Sequence, residues 1–287
     1  MKDISASLVK ELRERTGVGI MECKKALVVS QGNIELAIEE LRKLSGVKAA
    51  KKAIRTASDG VIATFSNGLL ACMVEVNCET DFVAKDESFI EYSEDIIAKL
   101  AANIDVGFNK LMTGELEDKR KKLIQHLGEN IVVRRMAKSD KGSDSVGLYL
   151  HSNKRIAGIV SLQGGNEVIA RDIAMHIVAM DPVSISPEDI SEESIKKERE
   201  MFKAQSSDSE KSPEIISKIV EGKIKKYLSE VCLTEQEFVK EPSIKIENFL
   251  KQNNAKVISF ERFEVGEGIE SRKKDFASEV MFQLGKT

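Results

Sequence analysis

Three apolar stripes at helical spacing occupy the first part of the chain. They lie at residues 8–12, 20–27 and 34–41. Gly17 follows the first stripe and Gly32-Asn33 precedes the third, where glycine suits a left-handed cap and asparagine suits a helix start. We therefore predict three short helices packed as a bundle, in a first domain of residues 1–55. The stretch SGVKAAKKAIRTASDG (45–60) lacks apolar periodicity and is predicted to be a basic linker, part of it helical.

From Gly60 onward the apolar residues alternate, as they do in strands. The run VIATFS, the two-residue turn NG and the run LLACMVEV (61–76) predict a β-hairpin, and IEYSEDIIAKLAA (90–102) predicts a helix. The same order returns in SVGLYLH, SNKR and IAGIVSLQG (145–164), followed by the helical EVIARDIAMHIVAM (167–180). We infer an internal duplication, with two α+β subdomains that each contain an antiparallel sheet covered by helix.

Between the two repeats, KLIQHLGENIVVRRMAK (122–138) predicts a helix that ends at Gly128 and then a strand. The predicted core subdomains are residues 56–140 and residues 141–287. The second includes a charged helical hairpin at about 187–230 and a closing helix, DFASEVMFQL (275–284). The hairpin has a thin apolar seam, is joined by the polar turn SSDSEKSP, and is predicted to project as an antiparallel coiled coil. Its seam residues are Ile195, Phe202, Ile216, Val220 and Ile224.

Composition agrees with a helix-rich globular chain of 287 residues, because 41% of residues are hydrophobic, 32% are charged and 5% are aromatic. The apolar runs are too short to span a bilayer and the start lacks a signal-peptide pattern, so we expect a cytoplasmic protein that does not enter membranes. The net charge is −3, yet residues 1–55 contain 12 Lys and Arg against 7 Asp and Glu. The four cysteines lack metal-ligand spacing and are interpreted as reduced structural thiols.

The sequence lacks a recognisable constellation of catalytic or metal-binding residues. His126, His151 and His176 are scattered, and the glycine patterns fit neither a phosphate-binding loop nor a dinucleotide fingerprint. Two alternatives to a protein-binding function remain at this stage. One is nucleic-acid binding through the basic N-terminal segment and KAAKKAIR. The other is an enzyme that uses Asp81, Asp86 and Glu87 with a distant histidine.

The stretch NCETDFVAKDESF (77–89) places an acid beside a large apolar ring in a polar run. One interpretation is that Thr80 or Asp81 caps a helix that begins near Phe82, with the ring packed into the local core as a hydrophobic staple. The other is that Phe82 is exposed as an anchor for a partner's pocket, with Asp81 supplying a negative charge or an acceptor.

Several strings spread along the chain together resemble the bacterial elongation factor Ts family. They are TGVGIMECKKAL (16–27), GNIELAIEELRK (32–43), VNCETDFVAKDESF (76–89), DIAMHIVAMDP (172–182) and RFEVGEGIESRKKDFASEV (262–280). The resemblance implies a translation factor of protein biosynthesis, the guanine-nucleotide exchange factor of the GTPase elongation factor Tu. It implies a UBA-like (ubiquitin-associated-like) three-helix bundle, a pair of α+β core subdomains and a projecting coiled coil. It implies neither enzymatic bond chemistry nor a cofactor, a metal or a direct nucleic-acid contact.

The resemblance also implies roles for individual residues. Thr80, Asp81, Phe82 and Val83 match the family motif that inserts near the magnesium site of the GTPase, disturbs Mg²⁺ coordination and loosens GDP, so that GTP can bind. The other implied contacts with the partner lie at Arg13, Ile20, Met21, Lys24, Ile156, His176 and Val239. Ile20 stands where methionine is common in the family, and Ala157 stands where glycine is common. A 2:2 assembly with the GTPase is left open.

Overall fold

The computed structural model describes residues 4–206 and 213–270, and it has the mixed α+β character that the sequence predicts. The helices are α1 (Ala6–Thr16), α2 (Ile20–Val29), α3 (Ile34–Lys52), α4 (Asp81–Ala84), α5 (Glu87–Ala102), α6 (Phe108–Leu111), α7 (Glu115–Leu127), α8 (Glu167–Met180), α9 (Glu192–Ser206), α10 (Pro213–Val231) and α11 (Ile246–Gln252). The strands are β1 (Asp59–Ser66), β2 (Ala71–Cys78), β3 (Val132–Lys138), β4 (Ser145–Leu150), β5 (Ile156–Gly164), β6 (Glu237–Phe238), β7 (Glu241–Lys245) and β8 (Ala255–Glu264).

The first three helices pack around a small apolar core, which includes Leu12, Cys23, Leu27 and Leu41. The predicted caps are present. Gly17 ends α1 in the left-handed region at φ 69°, and the Asn33 side chain accepts from the backbone N–H of Leu36 at the start of α3. The three helices pack together because each apolar stripe lies on one side of its helix and is covered by the other two helices.

Helix α3 is longer than the sequence pattern predicts. It continues to Lys52, so most of the stretch predicted as a linker is helical. The buried face continues every four residues as Ala37, Leu41, Ser45 and Ala49, and its last two members are small. Small residues add little to an apolar pattern, yet they let α3 approach α7 closely, and Ala49 belongs to the core beneath the first sheet.

The first sheet has the strand order β1-β2-β3, with antiparallel neighbours. Helices α5 and α7 cover one of its faces with side chains that include Phe89, Ile96 and Ile124. The predicted two-residue turn between β1 and β2 is wrong, because the connection spans residues 67–70. Asn67 Oδ1 accepts from the backbone N–H groups of Leu69 and Leu70, at 3.2 and 2.9 Å, and so stabilises a wider loop.

The second sheet has the order β4-β5-β8, again antiparallel, and α8 and α11 cover its outer face. A hairpin followed by a helix therefore occurs in both halves of the core, as the repeated pattern predicts. The two sheets pack face to face through side chains from both, among them Ile62, Met73, Ile159 and Phe263. The resulting order of layers is helix, sheet, sheet, helix.

Two glycines bring α8 unusually close to the second sheet. A Cβ atom at Gly147 on β4 would lie 2.1 Å from the carbonyl carbon of Ala170 in α8. A Cβ atom at Gly158 on β5 would lie 3.3 Å from the carbonyl oxygen of Ala174. At Gly147 the helix backbone therefore lies directly on the strand, whereas at Gly158 the side chain of Val178 is closer still, with its Cγ2 at 3.0 Å.

Helices α9 and α10 pack against each other and form the predicted charged hairpin. Val220 and Ile224 of the seam are buried, and Arg199 and Glu221 form an ion pair across the two helices at 3.1 Å. Most of the turn SSDSEKSP and the whole of the predicted closing helix lie outside the described residues.

Glu75 is a charged residue in the layer between the two sheets, where it is fully buried. It accepts hydrogen bonds from Arg135 Nε at 2.6 Å, Arg134 at 3.1 Å, Asn77 at 3.0 Å and the backbone N–H of Gly266 at 2.9 Å. Burial alone would raise the pKa of Glu75, but the hydrogen bonds from Gly266, Asn77 and Arg135 outweigh burial and hold that pKa below its ordinary value.

We expect Glu75→Gln to lower the free energy of unfolding by about 2 to 4 kcal/mol at pH 7, because two arginines and a backbone N–H lose their charged acceptor. Since folding depresses the pKa of Glu75, its contribution is complete above the unfolded pKa of about 4.3 and is lost as pH falls through the folded value. Urea unfolding from pH 7 to pH 3 should thus show a shallower acid loss in the variant. Equal acid slopes for wild type and variant would contradict this, and exposed Glu94→Gln serves as the control.

Candidate partner-binding site

The TDFV motif forms a single helical turn directly after β2. Thr80 is the N-cap of α4, and its hydroxyl accepts from the backbone N–H of Val83 at 3.5 Å. Val83 and Ala84 are buried in the core of the first sheet. Thr80 and Val83 thus anchor the turn, and the intervening residues point away from the core.

Phe82 is 82% exposed, so its ring projects into solvent. Asp81 beside it is also exposed and forms an ion pair with Lys85 at 2.6 Å, one helical turn further on. The hydrogen bond from Lys85 lowers the pKa of Asp81, which is therefore ionised at neutral pH. The structure confirms the cap at Thr80 and contradicts the staple interpretation of Phe82, whose ring is presented at the surface.

Two carboxylates hold the chain just before the exposed pair. Glu129 accepts from the backbone N–H groups of Glu79 and Thr80 at 2.9 and 3.0 Å, and from the Thr80 hydroxyl at 2.6 Å. In return, Glu79 accepts from the backbone N–H of Asn130 at 2.7 Å and lies 3.5 Å from the guanidinium of Arg55. The strand end is thereby locked to the loop between α7 and β3.

The thiol of Cys78 adds a further contact under the motif. Its Sγ donates to the carbonyl oxygen of Thr80 at 3.1 Å. Burial first, and then the nearby carboxylates of Glu129 and Asp59, raise the pKa of Cys78 to about 12. The thiol therefore stays protonated at neutral pH and acts as a donor, in agreement with the interpretation of the cysteines as structural thiols.

The bundle residues that the resemblance implicates all lie at the surface. Ile20 and Met21 are 52% and 64% exposed at the start of α2, and Lys24 is exposed one turn later on the same helix. Arg13 is exposed in the last turn of α1. Apolar and basic groups of α1 and α2 are thus both exposed at the surface of the bundle.

Polar contacts fix the bundle to the first core subdomain. Glu22 on α2 pairs with Lys48 on α3 and also accepts from Gln125 on α7 at 3.2 Å. His126 Nδ1 lies 2.6 Å from the carbonyl oxygen of Gly17, and Lys52 donates to the carbonyl oxygen of Gly128. Two lysines of the KAAKKAIR stretch are therefore engaged within the chain, which weakens the nucleic-acid alternative.

His176 is fully buried, which contradicts a direct contact with a partner in this conformation. Its Nδ1 accepts from the backbone N–H of Val239 at 3.2 Å, so the proton resides on Nε2, which donates to Gln236 Oε1 at 2.9 Å. Burial lowers the pKa of His176 and keeps the ring neutral at neutral pH. Val239 is 40% exposed and Ile156 is half-buried, so these two residues present surface and His176 holds one of them in place.

Two of the three acids of the enzyme alternative, Asp81 and Asp86, have structural partners. Asp86 caps α5 by accepting from the backbone N–H of Ser88 at 2.9 Å, and Asp81 pairs with Lys85. Among residues 4–206 and 213–270, we find no group of three or more His, Cys, Asp or Glu side chains placed to hold a metal ion. Within the same ranges, no helix has the length and apolar character needed to cross a membrane.

Comparison with known proteins decides the family. The family model described as "Elongation factor TS" matches residues 79–267, which is more than half of the chain. The chain belongs to the elongation factor Ts family. It is 52% identical over 286 residues to "Elongation factor Ts" of Hahella chejuensis and 49% identical over 287 residues to that of Marinobacter nauticus, with 99% of each chain covered. It is 47% identical over 290 residues, again with 99% of each chain covered, to "Elongation factor Ts" of Francisella tularensis subsp. novicida.

Membership of the elongation factor Ts family makes the chain a translation elongation factor, as the motifs predicted. The sequence did not reveal Glu79 and Glu129 as supports of the motif. The only signal for Glu129 is its place in a polar stretch, Gly128 to Asn130, between a helix end and a strand. Contacts between positions 50 residues apart cannot be inferred from such a stretch.

We expect His176→Leu to lower the free energy of unfolding by about 1 to 3 kcal/mol at pH 7.5, because the Val239 N–H and Gln236 Oε1 lose their partner. Since burial depresses the pKa of His176, the wild type should lose stability as pH falls below the ordinary value of 6.5, and the variant should lose less there. Urea unfolding at pH 7.5 and 5.5 measures both effects. Exposed His151→Leu is the control, and a variant indistinguishable from it would refute the buried role.

Proposed function

We propose that the chain is the guanine-nucleotide exchange factor of elongation factor Tu, and that Phe82 and Asp81 together promote GDP release. The observation that carries this proposal is an exposed phenylalanine beside an ionised acid on a turn that is held firmly from below. A free-standing aromatic ring on a rigid support is suited to enter a partner's apolar pocket. In this proposal the ring changes the conformation of the partner, and no covalent bond is made or broken.

In the proposed mechanism, Phe82 inserts between helices of the GTPase next to its magnesium site. Asp81 brings negative charge and acceptor oxygens towards a site that is adapted to a cation and phosphates. Its exposed ion pair with Lys85 contributes little stability, so the carboxylate is available to new partners. The combined effect disturbs Mg²⁺ coordination, weakens the hold on GDP and allows GTP to enter.

The TDFV motif alone does not supply the free energy that faster GDP release requires. Binding is reciprocal, so a factor that weakens GDP binding tenfold is itself bound tenfold more weakly in the presence of GDP, and each factor of ten is about 1.4 kcal/mol. Acceleration of release by several powers of ten needs roughly 4 to 7 kcal/mol. A single anchored aromatic ring supplies about 2 to 4 kcal/mol of this. The remainder must come from docking surfaces elsewhere on the chain.

We propose two such surfaces. The first is the exposed face of the bundle, which docks on a helix of the GTP-binding domain. The second is formed by Ile156 and Val239, with His176 acting indirectly by holding the Val239 backbone. The residues proposed for the first surface are Arg13, Ile20, Met21 and Lys24.

The proposed organisation follows the sequence boundaries, with a UBA-like bundle at 1–55 and core subdomains at 56–140 and 141–287. The three packed helices, the two sheets and the α9–α10 hairpin support this division. We further propose that the protein acts in the cytoplasm, without cofactor, membrane or direct nucleic-acid contact, and that it can form a 2:2 assembly with the GTPase.

The first test is stopped-flow release of a fluorescent GDP analogue from elongation factor Tu. Wild-type chain should accelerate release by orders of magnitude, and Phe82→Ala should lower the maximal acceleration about 30- to 1,000-fold. The concentration that gives half-maximal acceleration should change little, because other surfaces carry docking. Leu69→Ala is the matched control. It removes an apolar side chain that is 74% exposed in the β1–β2 loop, at the opposite end of β2 from the TDFV motif.

Two outcomes would count against the proposal. If wild-type chain leaves the release rate unchanged, exchange on this GTPase is not its function. If Phe82→Ala reduces docking and maximal acceleration by the same factor, the ring acts in docking and the division of roles between motif and surfaces is wrong.

We expect Lys24→Ala to weaken association with the GTPase about two- to fivefold at low salt, and by less at 0.5 M salt, because an exposed charge contributes through a screened interaction. Titration calorimetry across a salt series measures this effect. Lys10→Ala, which removes an exposed lysine from α1 of the same bundle, should have no such effect. A salt-independent loss for Lys24→Ala would indicate that its hydrocarbon stem, and not its charge, makes the contact.

A further inference from the structure

We propose that Glu129 is a positioning residue for nucleotide exchange, which fixes the direction in which the Asp81–Phe82 turn leaves the core. The inference rests on the proposed function of Phe82 and adds a residue that lies outside the motif. Glu129 belongs to the loop between α7 and β3 and reaches the motif through its carboxylate alone.

The turn cannot orient Phe82 by itself. Helix α4 has four residues, and a helix of one turn has little stability of its own. The ring is 82% exposed, so the direction in which it points follows from the backbone on either side. On the C-terminal side, Val83 and Ala84 are buried and fix the chain. On the N-terminal side, the fixed points are the contacts of Glu79 and Thr80.

Glu129 is the acceptor for all three donors on that side. One of its oxygens accepts two successive backbone N–H groups, and the other accepts the Thr80 hydroxyl. The same hydroxyl accepts from the Val83 N–H as the helix cap, so the cap and the contact with Glu129 share one oxygen. Charge-assisted hydrogen bonds of this kind are stronger than neutral ones. A shift of the carboxylate would therefore move both the start of α4 and its cap.

The loop that carries Glu129 also holds the end of the bundle. Lys52 donates to the carbonyl oxygen of Gly128, and the Asn130 side chain donates to the carbonyl oxygen of Arg55 at 2.8 Å. Arg55 in turn lies beside Glu79. The bundle and the exposed ring therefore have a common support of a few residues, which keeps the docking face of the bundle and the ring in a fixed relation.

Glutamine at position 129 tests the role with little change of shape. The glutamine side chain has one acceptor oxygen where glutamate has two. It can therefore accept from the two backbone N–H groups or from the Thr80 hydroxyl, but not from all three donors. We expect Glu129→Gln to lower the maximal acceleration of GDP release on the order of tenfold, with the half-saturating concentration unchanged within about twofold. Thr80→Val should have a similar effect, and Thr80→Ser, which keeps the hydroxyl, should restore near-wild-type rates.

A double variant separates a shared contact from two independent losses. Glu129→Gln combined with Thr80→Val should be slowed by clearly less than the product of the two single effects, because both changes break the contact between the Thr80 hydroxyl and Glu129. Glu115→Gln removes a carboxylate from the exposed first turn of α7 and is the matched control. Additive losses in the double variant, or equal rates for Glu129→Gln and Glu115→Gln, would overturn the positioning role while leaving the exchange function intact.

Amide hydrogen exchange on the isolated chain provides a readout that does not depend on the GTPase. Glu129→Gln should increase exchange at residues 81–85, with the strands of the first sheet unaffected, and Glu115→Gln should not. If wild-type chain fails to accelerate GDP release, the exchange function is refuted and the amide data alone decide whether Glu129 fixes the turn. Unchanged amide hydrogen exchange at residues 81–85 in Glu129→Gln would overturn the positioning role, whether or not the wild type accelerates GDP release. An equal loss of affinity for the GTPase and of the maximal rate of GDP release would also overturn it.

Discussion

The Glu75 carboxylate in the layer between the sheets is the interaction on which the core most depends. Strand β2 is covered on one face by α5 and α7 and on the other by the second sheet, so a charge there has no access to water. It is tolerated because two arginines, an amide and a backbone N–H surround it. Since these partners come from β2, β3 and the segment after β8, one carboxylate ties both sheets together.

The TDFV turn is supported by this arrangement, because it directly follows β2. Strand β2 ends at Cys78, and Thr80 follows within two residues, so any displacement of the strand would be transmitted to the turn. Hydrogen bonds and buried side chains fix the backbone at the base of the turn, and Phe82 at its tip is exposed. A partner that buries Phe82 then does not have to order the backbone that carries it, and more of the burial energy is available to change the partner.

Element bounds were predicted best where the apolar pattern within one element marks its whole length. Helix α8 was predicted at its observed bounds from its apolar stripe, and the structure shows that Asn166 caps its start. The pattern failed for α3, whose buried face continues through Ser45 and Ala49, and for the β1–β2 loop, where Asn67 organises four residues instead of two.

Exposure and distant contacts were the least accessible from the sequence. Whether Phe82 is buried depends on what the rest of the fold places against it, and the residue pattern alone was compatible with both arrangements. The carboxylate of Glu129 and the acceptor nitrogen of His176 each act on a segment some 50 to 60 residues away. Such pairings are set by how the layers stack, which no local spacing encodes.

The close approach of α8 to its sheet has a mechanical consequence. Helices usually slide over a sheet by small rotations of the side chains between them, and such shear is how packed layers accommodate strain. Where the backbone at Ala170 lies directly on Gly147, no such bearing layer exists. Any side chain at position 147 would therefore force α8 away from the second sheet at Ala170, whereas α5 contributes the rings of Phe89 and Tyr92 to the core under the first sheet. The two halves of the core, alike in the order of their elements, thus differ in how closely helix and sheet approach each other.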